Sequence, residues 1–135
     1  AYLVSRRIEL NPRLLAQNPE MIHECFAHEL AHNLLGHTAW LNRNGRSRSN
    51  VRLTEREADR LMPWLLVNAG YDPAAAIRFM QKWGPKHGGG LLRKRTHDGW
   101  DERVDFITSE IARLNAVQND GGTANWSTHF QREIP

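Results

Sequence analysis

A chain of 135 residues with 40% hydrophobic and 24% charged residues has the size and make-up of one folded globular domain, and its five tryptophans argue against disorder. The net charge of +3 and pI near 9.5 fall short of the concentrated basic stripe of a nucleic-acid binder, and a lone cysteine, Cys25, excludes an internal disulfide or a thiolate-rich zinc finger. No run approaches the roughly 20 apolar residues that span a bilayer, so a soluble chain without a membrane span is expected.

The start at Ala1 rather than Met is compatible with a leader or anchor removed upstream, which leaves cytoplasmic and secreted or periplasmic locations both open, and the oligomeric state with them. Residues 2–10, YLVSRRIEL, are rich in β-branched and aromatic side chains and stop at Asn11-Pro12, which predicts one short edge strand. Asn18-Pro19-Glu20 then supplies an N-cap, a first-turn proline and an early acid, so a helix is expected from about residue 19 to Gly36. With Phe26, Leu30 and Leu34 on one side and Met21, Cys25 and Leu35 on the other, it reads as the central helix, buried on most of its circumference.

Residues 38–53 lack periodicity, contain Asn-Gly and gather Arg43, Arg46, Arg48 and Arg52, as a solvated surface loop does. Thr54 and Glu57 have the spacing of a capping box that opens a helix to about Asn68, with Pro63 expected to kink or divide it. Asp72-Pro73 starts a third helix that ends near Trp83-Gly84. After a glycine-rich connection, Trp100, Val104, Ile107, Ile111 and Leu114 keep helical spacing in a fourth. Residues 116–135 read as a polar tail or a loosely packed cover. The fold class is therefore mainly α, an α+β zincin-like arrangement with residues 1–17 as lead-in, 18–115 as core and 116–135 as tail.

The chemistry concentrates in His28-Glu29-Leu30-Ala31-His32. At about 100° per residue the two histidines lie only about 40° apart on one helix face, so both imidazoles reach one ion. Glu29 lies just round the helix, where it faces a water at that ion rather than the ion itself. Two unpartnered histidines and a carboxylate are costly to bury, and a metal removes that cost. Catalytic zinc keeps three protein ligands and one place for water, so a third ligand is needed. A metzincin would carry glycine and histidine where this chain has Leu35 and Thr38, and His37 projects nearly opposite His28 on a continuous helix, which suits a structural role. Glu55 and Asp59, one turn apart on the next helix, divide the labour better: Glu55 binds the ion, and Asp59 accepts the other ring N–H of a zinc-bound histidine. Glu57 is left as a first-turn charge that complements the helix dipole.

HELAHNLLGH (28–37), EREADRL (55–61), AGYDPAAAIRFMQKW (69–83) and RTHDGWDERVDFI (95–107) together resemble the glutamate-zincin (gluzincin) metallopeptidases of the Ste24/HtpX type, the group that includes CAAX prenyl proteases and periplasmic quality-control proteases. The likeness covers roughly residues 20–110 and lacks the transmembrane helices of many members, so it implies a minimal, soluble version. It implies zinc as cofactor, His28, His32 and Glu55 as ligands, Glu29 as general base, His97 as the group that supports the oxyanion, and Arg103 lining the site. The family usually has proline after that histidine, where this chain has Asp98. The activity implied is a zinc endopeptidase acting on a polypeptide, which the 2–10 strand would bind as an added strand. Two other classes stay open: a non-catalytic zinc or regulatory domain of the ImmA/IrrE type, which HExxH with Glu55, Ala58 and Met62-Pro63 resembles, and a nucleic-acid-associated protease using the arginines of 43–52.

Overall fold

The computed structural model describes residues 22–87 and 99–134. The expected strand at 2–10, the first turn of the helix expected from residue 19, the glycine-rich connection and His97 lie outside these residues. Among the described residues the structure is helical, with no strand: α1 (Ile22–Leu34), α2 (His37–Asn44), α3 (Arg48–Asn68), α4 (Ala75–His87), α5 (Trp100–Asn119) and the short α6 (Trp126–His129). None of these helices is long and apolar enough to cross a membrane. The mainly α expectation therefore holds for them.

Residues 38–53 are not a loop. Gly36, at φ 69°, takes the left-handed backbone that ends α1, and α2 begins at the next residue. The turn out of α2 is equally tight: Gly45 at φ 93° donates to the Leu41 carbonyl, and the Asn50 side chain donates to the carbonyls of Asn44 and Gly45 at 3.1 and 2.9 Å. Ser47 is the N-cap of α3, its hydroxyl accepting from the Asn50 amide at 3.1 Å. Thr54 consequently sits inside the helix and donates to the Val51 carbonyl instead of capping anything. The short α2 buries only His37 and Leu41, too few positions to leave a periodic signature.

The central helix is α3 rather than α1. It buries Thr54 and every residue from Glu57 to Leu66, and it is not divided at Pro63. Helix α1 buries Cys25, Ala27 and Ala31, while Phe26 stays 45% exposed. Small residues on that face let α1 lie close against α3, which also packs on α5. Helix α4 starts where the Asp72 carboxylate accepts from the Ala74 amide at 3.0 Å, and it packs on α5. Helix α5 turns inward not only Ile107 and Leu114 but also Arg103 and Glu110, because charges on or beside α3 await both.

The tail is an integral strap. Asn125 caps α6, and the Asn68 side chain donates to the Ala124 carbonyl. From the end of α6 onward, Arg113 donates to the His129 carbonyl at 3.2 Å, Arg60 to the Gln131 carbonyl at 2.8 Å, and Arg132 to the Leu35 carbonyl at 2.8 Å. Ile134 then closes the strap at 1% exposure. Sequence polarity misreads this segment because its side chains at 131–133 are exposed while its backbone groups are held by buried or half-buried partners.

Candidate metal centre

Helix α1 presents His28 and His32 one turn apart, with ring centroids 4.8 Å apart and planes nearly perpendicular. Glu55, in the second turn of α3, reaches between them: Oε2 stands 3.2 Å from His28 Nε2 and Oε1 3.4 Å from His32 Nε2. One donor atom from each of the three residues falls within 4.8 Å of the other two. Ligands about 2.1 Å from a tetrahedral zinc stand about 3.4 Å from each other, so the two N···O separations suit a shared ion. His28 Nε2 is also buried without a hydrogen bond, an orphaned donor-acceptor atom aimed at the same point. The residues present fit a zinc ion.

Charge argues in the same direction. Glu29, Glu55 and Asp59 are three carboxylates around His28, and the Arg103 guanidinium stands against two of them, Glu55 and Asp59. For Glu55, burial alone would raise the carboxyl pKa, but the neighbouring His28 and His32 rings outweigh it and hold the group well below the usual range. Burial likewise opposes ionisation of His28, and Asp59, Glu29 and Glu55 reverse that and lift it well above 6.5. A cation at this point and a proton on His28 are therefore alternative ways to balance the same carboxylates.

Asp59 is fully buried, and Arg103 of α5 clamps it through Nε at 2.6 Å and Nη2 at 2.8 Å. The other neighbour of Asp59 is His28 Nε2 at 3.2 Å, the same nitrogen that faces Glu55. Arg103 Nη2 also stands 3.6 Å from Glu55 Oε2, so the arginine braces both carboxylates from behind. Glu29 stands at the rim, its side chain 45% exposed and one oxygen 3.7 Å from His28 Nδ1. The neighbouring His28 ring lowers the pKa of Glu29, so this carboxyl is ionised at neutral pH.

The sequence pattern makes Glu57 a first-turn charge that complements the helix dipole, but among the described residues it is the carboxylate with the most hydrogen bonds. At 0% exposure it accepts from His37 Nε2 at 2.8 Å, from Arg132 at 3.1 and 3.2 Å, and from the amides of Glu133 and Ile134 at 2.7 and 3.0 Å. Burial works to raise its pKa, and these donors outweigh it to bring it down to about 2. His37 in turn places Nδ1 2.7 Å from His32 Nδ1. The helix break at Gly36 is what swings His37 back onto α1. Partners 75 to 77 residues away in the chain left no local signal for Glu57.

The chain matches no protein-family model, no curated protein and no solved structure.

Proposed function

We propose that this protein is a zinc-dependent endopeptidase in which His28, His32 and Glu55 hold the ion and Glu29 is the general base. The observation that carries the reading is the convergence of His28 Nε2, His32 Nε2 and the two Glu55 oxygens at 3.2 and 3.4 Å, with His28 Nε2 buried and making no hydrogen bond. The likeness of HELAH and EREAD to the glutamate-zincin segments supports it independently.

Zinc, when bound, supplies a Lewis acid that polarises a carbonyl and acidifies water. Glu29, ionised and half-exposed beside the ligand histidines, takes the proton of the attacking water and returns it to the leaving amine. Arg103 acts from behind: its clamp on Asp59 and its approach to Glu55 hold the two carboxylates in place against α1. A site with purely architectural metal would have no use for a carboxylate at the position of Glu29.

Metal analysis of the purified protein and a peptidase assay on an unfolded polypeptide test the proposal. One zinc per chain is expected, with loss of zinc in Glu55→Ala. Glu29→Gln should keep the zinc and lose activity by about 100-fold or more. A zinc-free wild type of ordinary stability, or full proteolysis by Glu29→Gln, would sink the assignment.

A further inference from the structure

Arg60, Arg78, Arg103, Arg113 and Arg132 each stand beside a carboxylate. Among the described residues no carboxylate stands within ion-pair distance of Arg43, Arg46 or Arg48. The stretch from His37 to Thr54 contains these three arginines and Arg52 but no acid, and residues 42–49 are all exposed. Helix stability does not call for this charge: Arg48 is the first residue of α3, where a cation opposes the helix dipole, and Arg52 follows one turn on, where like charges repel. Yet the corner is held firmly, by the Ser47 cap and by the Asn50 side chain on the carbonyls of Asn44 and Gly45. A local rule broken on a rigid element marks a surface kept for function.

Register along α3 ties this corner to the metal centre. Arg48 lies about 20° round the helix from Glu55 and about 10.5 Å along its axis, and Arg52 about 60° and about 4.5 Å. Glu55 is the carboxylate that reaches between His28 and His32. An extended polypeptide advances about 3.3 Å per residue, so a chain lying over that point reaches the level of Arg48 within about three residues. We infer that Arg48, with the arginines of the same corner, determines specificity: it selects polypeptides that carry acidic residues about three positions from the bond cleaved, on one side of it. A guanidinium meets a carboxylate through two parallel hydrogen bonds, and the ionised Glu29 at the rim disfavours an acid next to the bond itself. Residues 42–50, NRNGRSRSN, offer no aromatic ring on which a base could stack, so the corner suits carboxylates better than a nucleic-acid strand.

This preference rests on the proposed peptidase activity, and the two fail differently. Internally quenched peptides with a common alanine–phenylalanine core carry a run of Glu, Gln or Lys at one end, and a second set carries it at the other. Each exposed arginine–carboxylate pair contributes up to about fivefold in binding, so several together should give the Glu peptide a KM about 10-fold below that of the Gln peptide at low salt. The advantage should hold for one placement of the run only, and it should fade as salt is added. It should fall on KM and not on kcat, because a contact far from the reacting bond is the same before and in the transition state. Combined Arg43→Ser, Arg46→Ser and Arg48→Ser should bring the KM of the Glu peptide to that of the Gln peptide. Arg78→Ser, which removes an exposed arginine of α4 beside Asp72, should leave the advantage intact. Equal KM for Glu and Gln peptides, or an advantage that survives the triple substitution, would overturn the inference and leave the peptidase standing. Tighter binding of a single-stranded DNA of matched charge than of the Glu peptide, read by fluorescence anisotropy, would overturn it in favour of a nucleic-acid surface. No cleavage of any peptide would bring down the peptidase itself, and the substrate preference with it.

Discussion

Ile134 is the position where the structure departs furthest from what a tail residue is expected to do. Replacement by alanine removes three carbons from a side chain that is 1% exposed. At about 0.8 kcal/mol per buried carbon, with a further contribution from the cavity left behind, Ile134→Ala should cost about 2–4 kcal/mol. Its amide donates to Glu57 at 3.0 Å and that of Glu133 at 2.7 Å, so loosening the strap also weakens the solvation of a buried carboxylate. The assay is urea unfolding followed by circular dichroism, with Gln131→Ala as control, since that side chain is exposed and only its carbonyl is used. A loosely packed cover would give both variants the same near-zero change. An Ile134→Ala cost under about 0.5 kcal/mol, the range of ordinary surface substitutions, would refute the integral strap.

Arg103→Ala leaves Asp59 charged and fully buried with no guanidinium, which should cost about 3–5 kcal/mol, and Arg103→Lys should recover only part because one ammonium cannot replace the two-pronged contact; thermal unfolding reads both. The Glu57 carboxyl, drawn from its usual 4.5 to about 2, contributes stability that is fully present above pH 4.5 and is lost as pH falls towards 2. That contribution is on the order of 3 kcal/mol. The stability gap between wild type and Glu57→Gln should accordingly narrow between pH 6 and pH 3 in urea titrations, and a gap independent of pH would show that the charge of Glu57 is not what its donors recognise.

What could be read from the sequence was what lies within one or two helical turns. His28 and His32 share a face because 3.6 residues make a turn, and Glu55 and Asp59 do so for the same reason. Each pair does share a face, and the two helices bring those faces together. The order and rough extent of α1, α4 and α5 followed from caps and periodicity in the same way. Misreadings arose where tertiary contacts decide. Thr54 with Glu57 imitates a capping box, yet Ser47 starts the helix about two turns earlier and Glu57 faces the strap. On α5 the apolar pattern pointed to Trp100, Val104 and Ile111 beside Ile107 and Leu114. The fully buried stripe runs instead through Arg103, Ile107, Glu110 and Leu114, since Asp59 and the Arg60–Trp64 pair supply partners for its two charges. A charge on a buried face cannot be recognised until its partner, more than 40 residues away, is placed beside it.

Helix α3 therefore does more than pack. Within a little over one turn it carries Glu55, Glu57 and Asp59, and each has its shortest contacts with a different set of cations or donors. Glu55 goes to the two histidines of α1, Asp59 to Arg103 of α5, and Glu57 to His37, Arg132 and the strap amides. Burying three carboxylates in one turn works against stability, and well-packed apolar residues at 57 and 59 would serve a purely structural core at least as well. The same three groups make sense if rigidity at one point is what matters. Glu55 is pressed between its partners with Arg103 behind it, and His32 is held by the Glu57 chain, so the nitrogens and oxygens that face each other at 3.2 and 3.4 Å are fixed from both sides before any ion arrives. Preorganisation of that kind reduces the ordering that binding would otherwise demand, and it is the physical link between the polar interior of α3 and the metal chemistry proposed at its surface.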